Sequence, residues 1–151
     1  MSSILDRVEK LQRHLEINQM SSSTMTNTPP MTKSRAPITS HVLDTTLGIP
    51  AFGVPISLFF HQNGEWVQLG NASATTNKDG RTENLLSTDH VLIPGIYKVH
   101  FDIETYRSVN NIQAEFFYPE VDITFRITNV NQHYHVPLLL NPYGYSTYRG
   151  S

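Results

Sequence analysis

From Pro37 onward the chain is a succession of short β-favouring runs, each closed by a Gly, Pro, Asn or Asp signal, and this texture constrains the fold more than any single residue. It places strands near residues 38–45, 55–62, 65–74, 82–86, 95–103, 115–127, 132–140 and 143–149. Asn63-Gly64, set between Ile56-Ser57-Leu58-Phe59-Phe60 and Trp66-Val67-Gln68-Leu69, is a strong tight-turn signal. Asn77-Lys78-Asp79-Gly80 marks a second reversal. One helix candidate, around residues 104–112, bridges two strands. Eight short strands and little else predict an all-β sandwich.

The first 36 residues have a different texture. Residues 3–17 read as a short amphipathic helix, with Ser3 and Asp6 as a capping pair and Ile4, Val8, Leu11 and Leu15 at helical spacing. Residues 18–36 are rich in Ser, Thr and Pro without an apolar period, so they read as a flexible linker to a domain spanning 37–151. Arg7-Val8, Leu11 and His14-Leu15 resemble the N-terminal, type 2 peroxisomal targeting signal. On a helix, Arg7, Leu11 and His14 share one face, which is what an import receptor would read. The same pattern also suits a helix packing on the body; position at the extreme N-terminus before a polar linker favours the address, and with it a peroxisomal location. Asp6, Glu9 and Glu16 argue against a mitochondrial presequence.

Composition narrows the function classes. Among 151 residues, 38% are hydrophobic and 10% aromatic, enough for one sizeable core. Lys plus Arg number 11 against 13 Asp plus Glu, so the formal charge of −2 offers no general attraction to nucleic acid or to anionic lipid. There are no cysteines, which excludes disulfides, thiolate metal sites and a Cys nucleophile, and fits a reducing compartment. No apolar run approaches the roughly 18 residues of a membrane span, and no secretory h-region is present, so the protein is expected to be soluble and not secreted. Asn71-Ala72-Ser73 matches a glycosylation pattern that matters only on the secretory route.

Side chains that carry chemistry lie in three stretches. His41 sits in the first expected strand, where a lone imidazole is usually exposed or already satisfied. His133 and His135 straddle Tyr134, so a period of two puts both on one face of a strand. With a third His this spacing permits zinc ligation, although no acidic or thiolate support is nearby in sequence. The other reading is acid–base work near neutral pH. Arg81 follows Asp79-Gly80 at the start of an expected strand, where a solvated turn residue would be ordinary. The last residues, Pro142-Tyr143-Gly144-Tyr145-Ser146-Thr147-Tyr148-Arg149-Gly150-Ser151, are aromatic and hydroxyl-rich where tails are usually polar and frayed. A docked C-terminus is the expectation.

Here a family resemblance becomes specific. Tyr148-Arg149-Gly150-Ser151 resembles the signature tetrapeptide of the transthyretin-related 5-hydroxyisourate hydrolases. The block from His133 to Tyr143 and the run Ser40-His41-Val42-Leu43-Asp44 are similar to two further motifs of that family, and Gly95-Ile96-Tyr97-Lys98-Val99 to a shared strand. The resemblance covers residues 37–151 and implies a transthyretin-like two-sheet, eight-strand sandwich with one short helix. It further implies a homotetramer assembled from dimers, whose central channel holds the active sites, and no metal or other cofactor. By motif, His41, Arg81, His135 and Ser151 would be catalytic, with His41, Arg81 and Tyr148 binding substrate; His133 is the weaker inference.

The implied reaction converts 5-hydroxyisourate to 2-oxo-4-hydroxy-4-carboxy-5-ureidoimidazoline in urate degradation. Water attacks a ring carbonyl, charge gathers on its oxygen, and nitrogen leaves. One imidazole, His41 or His135, would take the proton from water and the other would protonate the leaving nitrogen. Arg81 would orient the ring and stabilise the oxyanion. The Ser151 hydroxyl or the terminal carboxylate would position water or an imidazole, not act as a covalent nucleophile. The main rival is a hormone carrier of the same fold, whose channel would want apolar and small hydroxylated walls rather than titratable groups.

Overall fold

The computed structural model describes residues 35–82 and 85–151; the expected targeting helix and the linker through residue 34 lie outside the described residues. Among the described residues, eight strands form two four-stranded sheets, with β1 Ile38–Asp44, β2 Ile49–Pro50, β3 Pro55–Gln62, β4 Glu65–Thr75, β5 Gly95–Asp102, β6 Glu120–Ile127, β7 Tyr134–Asn141 and β8 Gly144–Thr147. One sheet has the order β2-β1-β7-β8 and the other β4-β3-β5-β6. The expected hairpin is present: Asn63 and Gly64 both take positive φ between β3 and β4.

The sheets face each other through alternating residues. In β1, Ile38, Ser40, Val42 and Asp44 are buried while Thr39, His41 and Leu43 point to the other face. Ile38, Val42, Ile56, Leu58, Phe101 and Leu138 are fully enclosed between the sheets. The buried Asp44 carboxylate is satisfied by the Tyr106 hydroxyl at 2.9 Å and by the amides of Thr46 and Leu47. Burial and that carboxylate push the Tyr106 hydroxyl well above its ordinary value. Tyr106 belongs to helix α1, Ile103–Val109, whose cap Asp102 accepts from the Thr105 amide at 2.8 Å.

The pairing that matters for function is between β1 and β7. These strands run parallel, with Ile38 opposite Tyr134, Thr39 opposite His135 and His41 opposite Pro137. Residues from the two ends of the domain therefore share one sheet face.

Several expected boundaries shift. No strand spans 82–86: residues 83–84 lie outside the described residues, and Leu85 and Leu86 are buried in a bend. Their apolar character comes from plugging the core, not from a ladder. The eighth strand is instead β2, two residues paired with Leu43 and Asp44. β6 begins at Glu120, not 115, since Pro119 has no amide to give and its carbonyl caps the start of α1 through Ile103 and Glu104. β8 ends at Thr147, where the chain leaves the ladder to cross toward His135.

Candidate active site

His41 projects from the outer face of β1 beside a tight turn. Asn77 holds that turn together: its side-chain oxygen accepts from the amides of Asp79 at 2.9 Å and Arg81 at 3.0 Å. The turn then docks on the edge of β1 that β7 leaves free, with the Val42 amide donating to the Gly80 carbonyl at 2.8 Å. His41 and Arg81 become bridge partners. Gly80 has to be glycine here. Its φ is +69°, and a Cβ would lie 2.4 Å from the Val42 carbonyl oxygen and 3.2 Å from Cδ2 of His41.

His135 projects from the same face, one strand away. Its Nδ1 lies 2.9 Å from Thr39 Oγ1, and His133 Nε2 lies 3.0 Å from that same oxygen. His133 Nδ1 in turn is 2.9 Å from the Ala36 carbonyl. The period-of-two expectation for the two imidazoles therefore holds, with Thr39 between them. Thr39 and His41 are two residues apart on one strand face, a spacing of roughly 7 Å, so His41 and His135, opposite Thr39 in register, lie on the same face.

The C-terminal segment closes the far side. The Gly150 amide donates to the His135 carbonyl at 3.0 Å, and the two residues form a bridge. A Cβ on Gly150 would fall 2.4 Å from Cδ2 of His135, so the segment rests directly on the imidazole. Arg149 turns away, its guanidinium over the Tyr134 ring and bonded to Gln132 Oε1 at 2.8 Å. Tyr148 is 61% exposed and Ser151 is exposed beyond the bridge.

Electrostatics favour neutral imidazoles. Burial lowers the His41 pKa and the Arg81 charge lowers it further, against a backbone hydrogen bond and the carboxylate at Asp79 that raise it. His41 Nε2 is buried without a hydrogen-bond partner among the described residues. His135 is lowered by burial first, then by Arg81, Arg35, His133 and His41. Burial and Arg35 lower His133 as well, opposed by its bond to Ala36. Two uncharged imidazoles beside a fixed cation can take protons from water and stabilise a developing anion. Among the described residues no three His, Asp or Glu side chains converge as a metal site requires.

The structure thus brings His41, Arg81 and His135 to one face and the Tyr148–Ser151 segment to its edge. A cavity of about 270 Å³ near the β6 and β8 edges is lined by His135 and Tyr148 but by neither His41 nor Arg81. It is adjacent to the cluster, not its centre; of the reacting groups, Arg81 is exposed while His135 and Nε2 of His41 are buried. Thr39 carries no motif of its own in the sequence, although its place two residues before His41 puts it on the same strand face. Gly150 and Gly80 gave no signal beyond their motifs, because what demands glycine is a neighbour distant in sequence.

Residues 38–150 match the HIUase/Transthyretin family. The chain belongs to that family. A Caenorhabditis elegans protein named as a probable 5-hydroxyisourate hydrolase is 46% identical over 116 residues, 77% of this chain and 82% of its own length. The Mus musculus 5-hydroxyisourate hydrolase is 42% identical over 123 residues, 80% of this chain and 100% of its own. Among solved structures, Klebsiella pneumoniae 5-hydroxyisourate hydrolase superposes with a TM-score of 0.62 at 31% identity, covering 77% of this chain and 99% of that one. Sea bream transthyretin in complex with thyroxine superposes at 0.68 with 26% identity, covering 76% and 95%. One sandwich thus serves both proteins named as hydrolases and a transthyretin solved with thyroxine, so the fold alone does not choose between these readings.

Proposed function

We propose that residues 37–151 form a hydrolase that opens the ring of 5-hydroxyisourate at an acyl–nitrogen bond. The observation that carries this reading is the convergence of His41, Arg81 and His135 on one sheet face, bordered by Gly150. A neutral imidazole takes a proton from water as its oxygen attacks the ring carbonyl. The guanidinium of Arg81 bonds the carbonyl oxygen as charge develops, and the proton held by imidazole passes to the departing nitrogen. Tyr148 and Ser151 complete the edge of the site. The identities of 42–46% with relatives named as 5-hydroxyisourate hydrolases support the substrate.

Exposed groups on the protomer support the tetramer that the family resemblance implies. Small-molecule sites are concave, and a second copy laid over the exposed Arg81 would enclose the cluster in a channel. Tyr143, Tyr145 and Phe117, exposed at 83%, 42% and 72%, gather by the β8 edge, where a further copy would bury them.

Freshly generated 5-hydroxyisourate should decay faster with the full chain, with or without a chelator, while light scattering reports four chains. Thyroxine binding with no hydrolysis would instead assign the hormone-binding branch, and loss of rate on chelation would assign a metal. The peroxisomal address in residues 7–15 is part of the same proposal: a fluorescent fusion of residues 1–36 should collect in peroxisomes, and Arg7→Ala should disperse it. Diffuse fluorescence from the unaltered fusion would remove the address.

A further inference from the structure

We infer that Thr39 and His133 are positioning residues that lock His135 in the tautomer with its proton on Nδ1, so that Nε2 offers its lone pair to water. The inference rests on the hydrolase reading above and assigns the base within it.

The assignment follows from counting protons along one chain of contacts. The Ala36 carbonyl can only accept, so His133 Nδ1, at 2.9 Å, carries a hydrogen. A neutral His133 then has a bare Nε2, and the group facing it at 3.0 Å is the Thr39 hydroxyl, which must donate. A hydroxyl has one hydrogen. Having given it to His133, Thr39 can meet His135 Nδ1 at 2.9 Å only as an acceptor, so that nitrogen carries the hydrogen. Nε2 of His135 is left unprotonated, next to the Cδ2 atom on which Gly150 rests. A backbone carbonyl, which cannot change its role, thereby dictates the tautomer of an imidazole two side chains away.

The opposite arrangement needs His133 protonated on Nε2, so that Thr39 donates to His135 instead. That would place a second cation near Arg35, with Arg81 and His41 also facing His135, inside a region that is already desolvated. After His135 Nε2 takes the proton from water, its Nδ1–H still points at Thr39. The same chain then stabilises the imidazolium until the proton leaves for the substrate nitrogen.

The test combines kinetics with a direct reading of the tautomer. Long-range proton–nitrogen NMR correlations of the full-length enzyme should show His135 protonated on Nδ1. Thr39→Val keeps strand-favouring shape but removes the hydroxyl. It should mix the tautomers and lower kcat by about tenfold to hundredfold with KM nearly unchanged, and Thr39→Ser should restore most of both. His133→Phe should match Thr39→Val, which guards against a packing artefact in either variant. A wild-type His135 protonated on Nε2, or a Thr39→Val enzyme with unaltered kcat and tautomer, would overturn the relay. Wild-type enzyme with the Nδ1 tautomer but no turnover would instead sink the hydrolase reading and leave the relay standing.

Discussion

Arg81→Gln is expected to lower kcat on 5-hydroxyisourate by about a hundredfold to a thousandfold, the usual effect of removing one donor from a developing oxyanion. It should also move the acidic limb of the pH–rate profile to higher pH. Burial holds both His41 and His135 below their ordinary values and the cation lowers them further, so its loss lets each bind a proton at somewhat higher pH and deprives the reaction of its base sooner. The same linkage governs stability. With both imidazoles lowered, the unfolded chain binds more protons than the folded one as pH falls through about 6.5, so acid destabilises the fold over that range. Arg81→Gln should soften that loss, because the folded-state values rise toward the unfolded ones. Arg81 is exposed in the protomer, so the chain should remain folded. An unchanged rate and an unmoved acidic limb would take Arg81 out of the mechanism.

Gly150→Ala should be nearly as damaging, for a steric reason. The added methyl would sit 2.4 Å from Cδ2 of His135 and 3.1 Å from Cγ, inside any tolerable contact. Either the imidazole rotates away from Thr39 or the C-terminal segment lifts off β7. Both moves separate His135 from Tyr148 and Ser151, and a misplacement of this size can lower the rate by about a hundredfold. Chain ends contribute little to global stability, so the denaturation midpoint should shift by less than the equivalent of about 1 kcal/mol. Full activity in this variant would show that the segment does not hold the site.

Much of this was legible in the sequence because it depends on local rules. Asn63-Gly64 and Asn77 to Gly80 announce their turns through residues that accept positive φ, and the His-x-His period fixes a shared face whatever the tertiary context. The misplaced strand at 82–86 shows the limit: Leu85 and Leu86 look β-favouring but are apolar because they fill the core. Two-residue β2 is too short to leave a periodic signal and exists only because β1 offers Leu43 and Asp44 to pair with. Thr39 was ordinary in sequence for a related reason. Its importance comes from a register with β7 that no local pattern encodes.

The parallel pairing of β1 with β7 has a kinetic consequence. Thr39 and His135 are 96 positions apart, so the contact that fixes the base belongs to the non-local pairings whose loop-closure cost slows folding. The hairpin β3–β4 can assemble from its own neighbours, yet it contributes none of the reacting groups. Acid–base chemistry at His135 therefore depends on closing this long loop.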